Sequence, residues 1–103
     1  MNYDLIVSKY AHEDIDDIAE YILHELKNPQ ATVKFLNDIE TSYSRVSENP
    51  KMYSLCNDGR LAQKKYRKIV INNYLIFYRI DEKKKTVYIV RVVYGGRNYP
   101  EML

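Results

Sequence analysis

Five cations in the C-terminal half, Arg67, Lys68, Arg79, Arg91 and Arg97, are interleaved with the aromatic residues Tyr66, Phe77 and Tyr94. A guanidinium or ammonium neutralises phosphate, and a ring beside it stacks on a base, so the set suits nucleic acid. It suits an acidic protein surface equally well. Cutting RNA through the ribose 2′-hydroxyl demands more: a proton acceptor, a proton donor, and cations converging on the phosphate. The candidates for such a catalytic role are Arg67, Arg91, Tyr94 and Arg97. Tyr94 can donate or relay a proton, but a phenol with an ordinary pKa near ~10 is a poor base at neutral pH.

Other chemistries find little support. His12 and His24 fall within one predicted helix, on different sides and away from the basic segment, and read as surface residues. The single cysteine, Cys56, excludes an internal disulfide and any zinc site built on paired thiolates, and no histidine lies near it in sequence. Asp14, Asp17 and Glu20 have a spacing that a metal can use, but they read as a solvated helix face. The glycines, Gly59, Gly95 and Gly96, do not form a phosphate-cradling loop. No metal and no cofactor is expected.

The charge is divided along the chain. Residues 1–59 hold 5 Lys or Arg against 11 Asp or Glu, and residues 60–103 hold 11 against 3, giving nets of −6 and +8. The halves therefore carry opposite fields, which steer association even though the whole chain is only +2. The 103 residues suit one domain, and 46% hydrophobic content is enough for a core. The start, Met1-Asn2-Tyr3-Asp4, lacks the basic and apolar regions of a secretory leader, and no apolar run approaches the ~20 residues of a membrane helix. With one cysteine, these features lead to the expectation of a cytoplasmic protein with no membrane partner.

The elements that must position the cations follow from periodicity. Tyr3 to Val7 alternates as a short strand. Ser8 caps a helix whose apolar positions are Ala11, Ile15, Ile18, Ala19, Ile22 and Leu26, with Lys27 at its end. Asn28-Pro29 stops it and starts a second helix running to about Ser47, with the stripe Val33, Leu36, Ile39, Tyr43 and Val46, ended by Asn49-Pro50. Two helices so joined form an antiparallel hairpin that needs a sheet to cover. Residues 51–65 are irregular, with a turn at Asn57-Asp58-Gly59. Strands follow at Tyr66–Ile71, Tyr74–Ile80 and Thr86–Tyr94, the last apolar on both faces apart from Arg91 and so placed centrally. The expected fold is α+β in the order β-α-α-β-β-β, a single domain over residues 1–103. Its N-terminal strand and helical hairpin pack on one face of a small, mostly antiparallel sheet. The tail is expected to rest on the body through Tyr99 or Leu103.

Asn72-Asn73 fits a two-residue hairpin, because asparagine tolerates positive φ. That turn sets Ile71 opposite Tyr74, Ile69 opposite Ile76 and Arg67 opposite Tyr78 on a helix-covered face. The other face, expected to be open, carries Tyr66 opposite Arg79, Lys68 opposite Phe77 and Val70 opposite Leu75. Lys68, Arg79, Arg91, Arg97, Tyr66 and Phe77 are the residues expected to bind a target or nucleic acid. Arg67 is expected at the edge of the core face, within reach of an acid of the first helix. Lys83, Lys84 and Lys85 read as a solvated hairpin tip.

The stretches Tyr66-Arg67-Lys68-Ile69, Asn73-Tyr74-Leu75-Ile76-Phe77-Tyr78-Arg79-Ile80 and Ile89-Val90-Arg91-Val92-Val93-Tyr94-Gly95-Gly96-Arg97-Asn98, in this order after a strand and a helical hairpin, resemble the RelE/ParE superfamily. These are toxins of type II toxin–antitoxin systems, which arrest growth and stabilise plasmids. The resemblance spans nearly the whole chain and implies a protein antitoxin partner. It also implies one of two activities, ribosome-dependent cleavage of mRNA in RelE-like members or inhibition of DNA gyrase by binding in ParE-like members. RelE-like ribonucleases tend to carry an arginine where this chain has Leu75. Many members end the last strand in His-Gly-Arg-Arg-Asp, against Tyr94-Gly95-Gly96-Arg97-Asn98 here. These departures lean toward a ParE-like binder of a target such as gyrase. The alternatives are a RelE-like endoribonuclease and a non-toxic, degenerate binding module of the same fold.

Overall fold

The computed structural model describes residues 2–95 and Leu103. Strand β1 (Asp4–Val7) leads through Ser8 into helix α1 (Lys9–Glu20). The Ser8 side chain accepts the Ala11 N–H at 3.0 Å, satisfying a first-turn amide as the cap chemistry requires. The helix continues as one wider π-helical turn, Tyr21–Glu25, and ends with Lys27 at φ 49°. There the Asn28 N–H reaches back six positions to the Ile22 carbonyl, closing the wide turn through the left-handed Lys27. Asn28 caps helix α2 (Pro29–Glu48), with Pro29 in the first turn.

The buried face of α2 is Thr32, Phe35, Ile39, Ser42 and Val46. The expected stripe holds at Ile39, Tyr43 and Val46, but Val33 and Leu36 face outward. The small polar residues Thr32 and Ser42 occupy buried positions on this face. Thr32 also donates its hydroxyl to the Asn28 carbonyl at 3.1 Å.

The sheet runs in the order β1-β4-β3-β2, with β2 (Arg67–Ile71), β3 (Tyr74–Asp81) and β4 (Thr86–Tyr94) antiparallel and β1 parallel to β4. The hairpin register is as the Asn72-Asn73 turn dictates, from Ile71↔Tyr74 to Arg67↔Tyr78, with Asn72 at φ 50°. Between β3 and β4 the register slips by one at Phe77/Tyr78, leaving an extra residue near Val90. Because of this bulge, Val87, Ile89 and Val92 all face the helices, although strict alternation would separate Val92 from the other two.

The helix-covered core joins Ile69, Ile71, Ile76 and Tyr78 of the sheet to Ala11, Phe35, Ile39 and Val46. The opposite face is not open, contrary to expectation. Residues 51–65 contain a short helix, α3 (Gly59–Gln63), and this segment builds a second cluster of Cys56, Leu61, Tyr66, Leu75, Phe77 and Val93. Asp58, read as part of a turn, is the cap of α3 and accepts from the Arg60 and Leu61 amides. Leu103 packs against this cluster, as expected for the tail; Tyr99 lies outside the described residues.

Candidate functional site

The basic region of the sequence resolves into one groove and several cations already engaged. The groove, about 560 Å³, lies on the second face beside α3, between the Asp81–Lys85 turn and β4. Tyr66 forms its floor, with the Arg79 guanidinium 5.4 Å from the ring centroid, a cation–π arrangement that holds the arginine over the ring. Lys65 and Lys83 stand at its rim, and Tyr88, the partner of Arg79 across the ladder, closes one wall. Asp81 and Glu82 also border it. Asp81 is occupied in accepting the Lys84 amide, and Glu82 accepts from Tyr3 and pairs with Lys51 and Lys85. Those bonds hold the Glu82 carboxyl below the usual range, first through the Tyr3 hydroxyl.

The other expected site residues are placed differently. Phe77 is fully buried and Tyr66 is 7% exposed, so neither offers an open stacking face. The cause is α3, which periodicity could not reveal because a five-residue helix carries too few apolar positions. Lys68 is half-buried across the ladder from Phe77, near Cys56 and away from the groove. Among the described residues Arg67 pairs with no acid; its Nη1 donates to the Tyr53 carbonyl at 2.6 Å and pins the loop before α3. Tyr94 sits at the far end of β4, half-exposed and edge-on to Tyr74. Arg97 lies outside the described residues.

Arg91 is committed to structure. Its Nε and Nη2 donate to the two oxygens of Asp14 at 2.7 and 2.9 Å, and its guanidinium lies 5.7 Å from the Tyr10 ring centroid. The same Asp14 carboxylate accepts the Val92 N–H at 3.0 Å, closing the edge of β4 beyond the point where β1 ends. The hydrogen bonds to Asp14 push the Arg91 guanidinium further up, so it is a fixed cation with no proton to exchange. Asp14, read from sequence as solvated, is therefore a structural anchor. No signal in the sequence linked it to a residue 77 positions away.

Among the described residues no histidine or cysteine lines the groove, and its two carboxylates are those of Asp81 and Glu82. His12 and His24 are exposed on the first helical segment, as expected, and Cys56 is buried, with its thiol pushed up mainly by that burial. Among the described residues no cluster of His, Cys, Asp or Glu is arranged to hold a metal. No helix there is long and apolar enough to cross a membrane. The groove can bind through charge and hydrogen bonds.

A family model described as the ParE toxin of the type II toxin–antitoxin system, parDE, matches residues 5–99. Among solved structures, the chain is similar to a chromosomal ParDE toxin–antitoxin system from P. aeruginosa, with TM-score 0.70 and 17% identity over 89% of this chain and 95% of that one. It is also similar to the RelBE2 toxin–antitoxin complex from Mycobacterium tuberculosis, with TM-score 0.66 and 20% identity over 91% and 92% of the two chains. The intact RelBE complex of E. coli gives TM-score 0.63 and 17% identity over 92% and 99%. At such identities these likenesses are likenesses of fold. A search of the curated proteins finds no match.

Proposed function

This chain belongs to the ParE toxin family of type II toxin–antitoxin systems, and from that premise we propose that it arrests growth by binding a target such as DNA gyrase, without cutting nucleic acid. The observation that carries the reading is the fate of Leu75. At the position where RelE-like ribonucleases tend to carry arginine, this chain places a leucine that is 9% exposed and packed with Leu61, Phe77 and Val93. A greasy seam occupies the place where phosphate-binding charge would have to stand. Arg67 and Arg91 are held by Tyr53 and Asp14, and the histidines lie on the helical side. In-line cleavage needs an acid, a base and converging cations together, and among the described residues Arg67, Arg91 and Tyr94 of the expected catalytic set are each held by a different partner. What remains is a binding surface, the Tyr66–Arg79 groove with Lys65 and Lys83, whose chemistry suits an acidic patch of a protein target.

The same reading includes a cognate antitoxin and action in the cytoplasm; the structures similar to this chain include toxin–antitoxin complexes. The test is to induce the protein, map mRNA 5′ ends, and assay supercoiling by purified gyrase. Inhibited supercoiling with unchanged 5′ ends is the expected result. Codon-positioned cuts with unaffected gyrase would reject the binding reading in favour of the ribonuclease. Harmless expression would reject both in favour of a degenerate binding module.

A further inference from the structure

The short helix α3 ends in a closed backbone loop. The Tyr66 N–H donates to the Leu61 carbonyl and the Lys65 N–H to the Ala62 carbonyl, each at 2.9 Å, the paired bonds of a Schellman end. Such an end puts the residue after the C-cap in the left-handed region. The C-cap is Lys64, and the residue after it is another lysine, Lys65, at φ 62°. Glycine is the usual occupant of that position, because a Cβ in the left-handed region crowds the following carbonyl oxygen. Asparagine tolerates it through local hydrogen bonds of its side chain, which lysine cannot make.

The described residues with positive φ are Lys27, Lys65, Asn72 and Lys85, and none is a glycine. Asn72 serves the two-residue hairpin turn. Lys85 uses its side chain, which lies 3.6 Å from the Glu82 carboxylate and 5.4 Å from the Tyr3 ring centroid. Lys27 follows the long first helical segment, where the helix dipole favours a cation. Lys65 has none of these uses. It follows a helix of five residues, which presents little dipole. Its side chain is exposed and has no ion-pair, hydrogen-bond or ring partner among the described residues. What it has is position, at the rim of the groove next to Tyr66, whose ring carries Arg79. The carboxylates that border the groove are engaged elsewhere, Asp81 with the Lys84 amide and Glu82 with Tyr3, Lys51 and Lys85. A strained backbone kept at a side chain that no fold contact uses is the mark of a residue retained for binding.

We propose that Lys65 is a target-contacting residue of the groove and sets which target the groove accepts. Its ammonium meets one carboxylate of the target while the Arg79 guanidinium meets another. The partner that fits is therefore an acidic protein segment with paired exposed carboxylates, and a segment with a single acid leaves one cation unmatched. Helix α3 then has a second role beside covering Leu75 and Phe77, since its Schellman end fixes where the Lys65 side chain leaves the backbone. The inference rests on the target-binding reading above and goes beyond it by naming a residue, the group it meets and the strained backbone that presents it.

The test compares Lys65→Gly, Lys65→Asn and Lys65→Arg with Lys27→Gly, each measured for denaturant unfolding, growth arrest and inhibition of purified gyrase. Lys65→Gly is expected to unfold at or slightly above the wild-type midpoint, because relief of the left-handed strain offsets the added freedom of the unfolded chain. It should nevertheless need about fivefold or more protein to halve supercoiling, and its inhibition should depend less steeply on salt. Lys65→Asn is neutral and tolerates the same backbone, so it should fail alongside Lys65→Gly. Lys65→Arg keeps the charge and should stay within about twofold of wild type. Lys27→Gly makes the same backbone change outside the groove and should arrest growth fully. Glycine and asparagine variants as toxic as wild type overturn the proposal, as does an arginine variant that fails as they do. A clear fall in the Lys65→Gly midpoint shows that the lysine stem supports the fold and overturns it too. If the wild type cuts mRNA and Lys65→Gly does not, the anion is a phosphate and the carboxylate assignment falls. Wild-type arrest with unaffected gyrase and uncut mRNA rejects gyrase alone, and growth arrest in the same variants then decides Lys65. A wild type that neither arrests growth nor inhibits gyrase overturns the proposal and the target-binding reading together.

Discussion

The two faces of the sheet are covered on different scales. One carries α1 and the 20-residue α2, which together bury Ile69, Ile71, Ile76, Tyr78, Val87 and Ile89. The other is covered at the Leu75, Phe77 and Val93 end by a five-residue helix and the loop before it, and toward Arg79 and Tyr88 it carries the cation-lined groove. A helix as short as α3 cannot nucleate alone and depends on the Asp58 cap and on Leu61 for its place. The first face thus holds the fold, and the second holds a small lid of structure beside a binding surface. Truncation should separate them most strongly. Ile76→Ala, at a fully buried position between sheet and helices, is expected to cost about 3 kcal/mol in denaturant unfolding. Leu61→Ala is expected to cost about 2 kcal/mol or less, because the α3 segment can open by itself and relieve the cavity. Hydrogen exchange of α3 ahead of the sheet would support the difference, and equal costs with concerted exchange would erase it.

Two buried tyrosine hydroxyls sharpen the comparison at a smaller scale. Tyr78 donates to the Pro50 carbonyl at 2.6 Å, joining the helix-covered core to the loop that leads to α3. Tyr43, on α2, has a buried hydroxyl with no hydrogen-bond partner among the described residues, and burial pushes its pKa up to about 12. Tyr78→Phe leaves a carbonyl unpaired and is expected to cost about 1–2 kcal/mol. Tyr43→Phe removes a group that loses its hydration for nothing and is expected to be neutral or slightly stabilising. If the two substitutions cost the same, the Tyr78 bond is not what ties the loop to the core.

How much of this was legible in the sequence depended on the range of the interaction. Ser8, Asn28 and the Asn72-Asn73 turn act within a few residues, so the caps, the hairpin and its register could be read directly. The central place of β4 followed from its apolar character on both faces. The bulge near Val90 could not be read, since alternating and bulged patterns are equally apolar there. Nor could α3, whose single buried leucine gives no period. The candidate site was read as a row of cations and rings on one strand face, and Arg79 with Tyr66 does form its centre. Arg67 and Arg91 left that row because their partners, the Tyr53 carbonyl and Asp14, are 14 and 77 residues away. Sequence gives the charge of a side chain, whereas its availability is decided by contacts that only the fold creates.

The smallest stability effect should accompany a large functional one. Arg79 is exposed, and its guanidinium lies 5.4 Å from the centroid of the Tyr66 ring. Removing such a contact costs about 0.5 kcal/mol at an exposed site, so Arg79→Glu should unfold at nearly the wild-type denaturant midpoint. The same change reverses the charge at the centre of the groove, between Lys65 and Lys83. If the groove binds an acidic target, Arg79→Glu should relieve growth arrest and restore gyrase supercoiling, and Lys83→Glu at the rim should do so more weakly. Undiminished toxicity in a folded Arg79→Glu protein would show that the second face does not meet the target, and that its cations serve only to balance the acidic helices across the sheet.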